Sequence, residues 1–151
     1  MPIETFSFRQ AFSTVPATIV EEVQRAIPGP PSIMSATPCR DAILTNLRGA
    51  CGWSDEVKLS PDAKITITSC KENIGLCVQT GNMARFYADL MKLSLLHTQE
   101  RIYAAIFVLA TQDLAIGWGS NIAHYERLCN ELPIFSPVLQ IPILVIGLNK
   151  P

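Results

Sequence analysis

Two short runs, Ile65-Thr66-Ile67-Thr68 and Leu76-Cys77-Val78-Gln79, alternate strictly between apolar and polar side chains, and Lys71-Glu72-Asn73 sits between them. Alternation with period two is the pattern of a half-buried strand, and two such runs around a short polar link read as a β-hairpin. With Glu72 and Asn73 as a two-residue turn, Lys71 faces Ile74, Thr68 faces Cys77 and Thr66 faces Gln79. Side chains alternate along a strand, so Ile65, Ile67, Leu76 and Val78 are expected on the core face. Thr66, Thr68, Cys77 and Gln79 are expected together on the other.

On the C-terminal side, Asn82 caps a helix to His97, with Met83, Phe86, Tyr87, Leu90 and Leu93 or Ser94 at helical spacing. Ile102 to Leu109 is almost continuously apolar, as in a strand covered on both faces. A loop containing Gly117 and Gly119 follows. Ser120 or Asn121 is the candidate cap of a helix through Leu132, stopped by Pro133 and Pro137, and Ile141 to Leu148 is a last apolar strand.

On the N-terminal side, Val57 to Leu59 is a short strand closed by Ser60-Pro61-Asp62. A helix is expected from about Pro38 to Ala50, and another from Pro16 to Ile27 with Thr18 as candidate N-cap. Pro28-Gly29-Pro30-Pro31 stops that first helix. Residues 1–16 show no period and read as an arm or cap, leaving 17–151 as one domain. The order implies a layered α/β domain around a mixed sheet.

The composition agrees. A chain of 151 residues with 48% apolar and 17% charged residues can bury a core and is not a disordered polymer. A net charge of -1 argues against a polybasic nucleic-acid binder. The longest apolar run, Ile102 to Ala110, is about half a membrane span, so no membrane partner is expected. The first residues hold Glu4 and Arg9 and no apolar signal core. Five cysteines, an odd number with no C-x-x-C pair, suit reduced thiols in a cytoplasmic protein better than a disulfide framework or zinc knuckle.

The hairpin followed by a helix and a buried strand resembles the core of the PD-(D/E)xK nucleases. Lys71 through Asn82 looks like the catalytic hairpin of BglII-type type II restriction endonucleases. The likeness continues at Phe86-Tyr87-Ala88-Asp89-Leu90, Ile102 to Val108, Gly119 to Glu126 and Ile141 to Gly147. It covers roughly the last 85 residues well, a span that would make one compact unit, and the N-terminal helices loosely. It implies a restriction-endonuclease-like fold, duplex DNA as a partner and a homodimer matched to a palindromic site.

The departures fall on the chemistry. In the family an Asp ends the first hairpin strand and a Glu-x-Gln follows nine residues later, the two acids holding a divalent ion, usually Mg²⁺. The matching positions here are Thr68 and Cys77; only Gln79 keeps the family residue. Mg²⁺ requires hard oxygen ligands, and a hydroxyl and a soft thiol do not replace two carboxylates. Acids that could rescue the site are Glu21 and Glu22 on the first helix, which otherwise read as a solvated face, and Asp62, which otherwise reads as a turn residue.

Other candidates are slighter. His97 reads as a helix C-terminal residue, His124 as a surface or half-buried helical residue, and Cys77 as a small apolar filler rather than a nucleophile. Trp53 and Trp118 suit core or rim better than base stacking. Arg85, Lys92, Arg101 and Arg127 are the cations that could meet phosphate if the fold gathers them. The expected function is a restriction-endonuclease-like protein without catalysis, acting by DNA binding or assembly, with no cofactor. The rivals are an active Mg²⁺-dependent endonuclease with relocated acids and a purely structural scaffold.

Overall fold

The computed structural model describes residues 2–29 and 34–151. In chain order the elements are β1 (Ile3–Phe8), α1 (Ala11–Thr14), α2 (Ala17–Ala26), α3 (Ala36–Ala50), β2 (Val57–Lys58), β3 (Thr66–Ile67), β4 (Ser69–Lys71), β5 (Ile74–Gln79), α4 (Met83–Thr98), β6 (Ala104–Ala110), α5 (Gln112–Trp118), α6 (Tyr125–Glu131) and β7 (Ile143–Leu148). Five strands form one mixed sheet in the order β1-β7-β6-β5-β4, and β2 pairs with β3 beside it. The β5–β6 and β6–β7 pairs are parallel; the β1–β7 and β4–β5 pairs are antiparallel.

Strand β6 is buried along its whole length because both of its faces are covered. Ala104, Ile106, Val108 and Ala110 join Leu76, Val78, Leu144 and Ile146 in a core closed by α1, α2, α3 and α5. Ala105, Phe107 and Leu109 join Cys77, Ile143 and Val145 in a second core closed by α4 and α6. The molecule is therefore three layers deep, helices on both faces of the sheet. Among the described residues no helix is long and apolar enough to cross a membrane.

The hairpin turn is as expected. Glu72 and Asn73 both have positive φ, 50° and 61°, the backbone of a type I′ two-residue turn. Lys71 pairs with Ile74, Cys70 with Gly75 and Ser69 with Leu76. The alternation then fails at Thr68, which lies between β3 and β4. Its carbonyl accepts from the Arg48 guanidinium at 2.7 Å, and Ile67 pairs with Val57 instead of continuing along β5. The break carries Ile67 to the α4 side, where it packs with Cys77 and not with Leu76 and Val78. The expectation that Ile65 and Ile67 share the core face of Leu76 and Val78 is corrected accordingly: Ile67 lies on the other side, Ile65 is 49% exposed, and Thr66 pairs with Lys58 rather than with Gln79.

Other boundaries also differ. Residues Ile3–Phe8 are an edge strand of the sheet in register with β7, not a loose arm. Helix α2 is preceded by Pro16, and Thr18 lies inside it. The stretch read as a loop with Gly117 contains α5. Helix α6 begins at Tyr125, capped by His124, whose ring accepts from the Arg127 amide, rather than by Ser120 or Asn121. Asn82 caps α4 as expected, accepting from the Ala84 amide at 2.8 Å. Pro30 and Pro31, expected to stop the first helix, lie outside the described residues.

Candidate active site

A cleft of about 570 Å³ opens where β3, β5, α3 and α4 converge. Thr68 and Gln79 border it, with Thr66, Thr80 and Gly81. Cys77 lies beneath, 1% exposed. Of the three residues expected at the vestigial site, Thr68 and Gln79 therefore border the cleft, and Cys77 is in the buried core on the α4 side. The link between Thr68 and the second strand is direct: the Val78 amide donates to Thr68 Oγ1 at 3.2 Å.

Each of the three is committed elsewhere. Thr68 Oγ1 already accepts a backbone hydrogen bond. The Cys77 thiol is pushed well above its ordinary pKa, first by burial and then by the nearby Asp89 charge, so it is the neutral SH form at pH 7. Gln79 donates from Nε2 to Asp89 Oδ2 at 2.6 Å and accepts from the Gly81 amide through Oε1 at 3.0 Å. Asp89 Oδ1 lies 3.3 Å from Lys92 Nζ. The carboxylate nearest the site residues is therefore shared between an amide and an ammonium.

This donor set does not fit Mg²⁺. A hard ion wants several oxygens, one or two of them carboxylate, free to point at it. Here one hydroxyl is hydrogen-bonded, one ligand is a buried thiol, and the adjacent carboxylate is neutralised. Among the described residues no group of three or more His, Cys, Asp or Glu side chains is arranged to hold a metal.

The acids expected to come to the rescue do not border the cleft. Glu22 is bound to Lys71 Nζ at 2.9 Å and to the Trp53 indole N–H at 3.1 Å. The Lys71 ammonium also donates to the Cys51 carbonyl. The hydrogen bond from Lys71 does most to hold the Glu22 carboxyl below its usual range. Glu21 and Asp62 are exposed, on α2 and in the turn before β3. Trp53 is a core residue, and Trp118 donates to the Met34 carbonyl at 2.9 Å.

Of the four cations expected to meet phosphate, Arg85 and Lys92 line the cleft and the other two do not. Arg101 donates to the Lys58 and Leu59 carbonyls, clamping the end of β2. Arg127 is held by Glu131 and Tyr87. Four residues missed in the sequence also line the cleft: Arg40, Asp41, Glu56 and Asp89. Asp89 could have been found, because Arg85, Asp89 and Lys92 are spaced by four and three and share one face of α4. Arg40 and Asp41 carry no local signal; they reach the cleft only through the packing of α3 against the sheet.

Three comparisons bear on this arrangement. A search of curated proteins returns no match. Among solved structures, a crystal structure of restriction endonuclease BglII complexed with a DNA 16-mer superposes with a TM-score of 0.85 at 14% identity, over 100% of this chain and 78% of that one. The crystal structure of free BglII gives 0.79 at 16% identity, over 100% and 81%. These likenesses establish the fold. A family model, restriction endonuclease BglII/BglIII, matches residues 3–148, well beyond the stretch in which the resemblance is legible by eye. By that match, the chain belongs to the BglII/BglIII restriction endonuclease family.

Proposed function

We propose that this chain is a non-catalytic member of its family that binds duplex DNA weakly through the cleft. One observation carries the reading: both positions that match the family's acids hold neutral residues, Thr68 hydrogen-bonded to the Val78 amide and Cys77 buried. A divalent ion accelerates phosphodiester hydrolysis by neutralising the phosphate and lowering the pKa of its bound water. Without ligands to fix it, that contribution is lost.

The cleft's charges agree with weak binding. Arg40, Arg85 and Lys92 are matched in number by Asp41, Glu56 and Asp89. Such a surface holds a polyanion loosely, and salt competes readily. The related structure in complex with a DNA 16-mer supports DNA as the ligand class. Homodimerisation belongs to the same reading, since a two-fold protein matches a palindromic duplex; sedimentation of the purified chain measures it.

The test is cleavage and metal binding together. The unmodified chain should leave duplex DNA intact in Mg²⁺ and give no saturable Mg²⁺ heat by calorimetry. Thr68→Asp with Cys77→Glu should create measurable Mg²⁺ binding, and Thr68→Asp alone is the milder variant should a carboxylate buried at position 77 prevent folding. Robust cleavage by the unmodified chain, abolished by Asp41→Asn, Glu56→Gln or Asp89→Asn, would overturn the reading and show that the acids had moved.

A further inference from the structure

We propose that the cleft takes a backbone phosphate directly on side-chain cations, Arg85 and Lys92 with Arg40 at the wall, and that no divalent ion takes part. The inference rests on the DNA-binding reading above and names how that binding is made.

The cations come from two elements that meet at the cleft, Arg85 and Lys92 from α4 and Arg40 from α3. Arg40 Nε donates to the Val78 carbonyl at 3.2 Å, which leaves its terminal nitrogens for phosphate. Arg85 and Lys92 are seven residues apart, about two helical turns or roughly 10 Å, so they project along one face. Among the described residues, Arg85 makes no side-chain hydrogen bond or ion pair, and its charge is exposed to solvent. A Cβ built on Gly81 would stand 3.4 Å from one of its terminal nitrogens and 3.0 Å from Gln79 Oε1. The bare backbone at Gly81 leaves that approach open.

The missing acids are the second part of the argument. Two carboxylates at positions 68 and 77 would repel an incoming phosphate unless a cation lay between them. With Thr68 and the thiol of Cys77 in their place, that repulsion is gone and so is the need for an intervening ion. Arg40 and Lys92 line the same cleft as Thr68 and Gln79, so cationic side chains border the altered site. Gln79 has both ends of its amide hydrogen-bonded and brings no charge for a metal. Lys92 is held by a single carboxylate, and a phosphate can share it. Asp41 and Glu56, both exposed, temper the field and keep the site sensitive to salt.

The experiment is fluorescence anisotropy with a short labelled DNA duplex, in EDTA and in Mg²⁺ at matched ionic strength. Binding should be no tighter in Mg²⁺ than in EDTA. Arg85→Ala and Lys92→Ala should each weaken it about threefold or more and lower the slope of log K against log salt by about one. Arg25→Ala, on α2 away from the cleft, should change neither, and circular dichroism verifies that each variant is folded. Binding about tenfold tighter in Mg²⁺, or Arg85→Ala and Lys92→Ala variants as tight as the parent, would overturn the inference while leaving DNA binding in place. No binding in either buffer would remove both.

Discussion

Glu22 illustrates how a residue's role depends on partners the local sequence does not reveal. On α2 it looks like one of two adjacent acids on a solvated face. Its partner Lys71 is 49 positions away, and Trp53 adds a third contact. The pair is mostly shielded, with side chains 19% and 21% exposed. The turn and the Ser69–Leu76 pairing were more legible, because register counted from a two-residue turn depends on local geometry alone, whereas one residue further, at Thr68, it does not. Glu22→Gln should reduce stability by about 1–2 kcal/mol at pH 7, since it removes a charge-assisted contact and leaves Lys71 with a carbonyl. The folded-state pKa of Glu22 is depressed, so its contribution is complete above the ordinary carboxylate pKa and fades as pH falls through the lowered value. Denaturant melts of both proteins from pH 7 to about pH 3 should show the gap closing at the acid end. A gap independent of pH would mean that the ion pair is not its source.

Among the elements, those with a repeated apolar period were legible and those shaped by neighbours were not. Helices α2, α3 and α4 and strands β5, β6 and β7 all lie where periodicity puts them, within a few residues. The break at Thr68 has no such mark, because it follows from Arg48 capturing a carbonyl and from β2 recruiting Ile67. Helix α5 has seven residues, two of them buried, with Gly117 near its end and Ile116 exposed, so its apolar face is too short to read. The packing between elements has its own requirements. A Cβ on Gly147 of β7 would lie 2.7 Å from Cγ and 2.8 Å from Cδ2 of Tyr125, the first residue of α6. A Cβ on Gly75 would meet Ile102 Cδ1 at 2.9 Å and Leu93 Cδ2 at 3.1 Å, both ends of flexible chains. Gly147→Ala must displace the root of a rigid ring and should cost about 1–3 kcal/mol. Gly75→Ala should cost less, because methyl groups can rotate away. Thermal melts of the two variants rank them, and equal losses would show that α6 yields as easily as a side chain.

At the scale of the whole molecule, the sheet determines where the cleft lies, and the sheet does not begin where the pattern becomes regular. Strand β1 pairs with β7 over six residues, Ile3 with Leu148 through Phe8 with Ile143. It was illegible because Ile3 and Phe6 are only half-buried, Glu4, Thr5 and Ser7 are exposed, and no clean alternation results. Its role is large all the same. Strand β7 is buried throughout, and losing β1 would turn that central strand into an open edge with unpaired amides and carbonyls. Phe8 is 6% exposed in the core shared with α4 and α6. The next residue fastens the far side, since Arg9 donates to the carbonyls of Leu139 at 2.6 Å and Ser136 at 2.7 Å. If residues 1–16 were an appendage, removing the first eight would leave the melt unchanged. With β1 in the sheet, that truncation should lower the melting temperature by roughly 10 °C or more, or abolish cooperative unfolding. Phe8→Ala, which leaves the backbone pairing in place, should cost about 3 kcal/mol through the cavity it opens. Circular dichroism and denaturant unfolding measure both. A truncated chain that melts with the full-length one, together with a silent Phe8→Ala, would return the segment to the status of an arm.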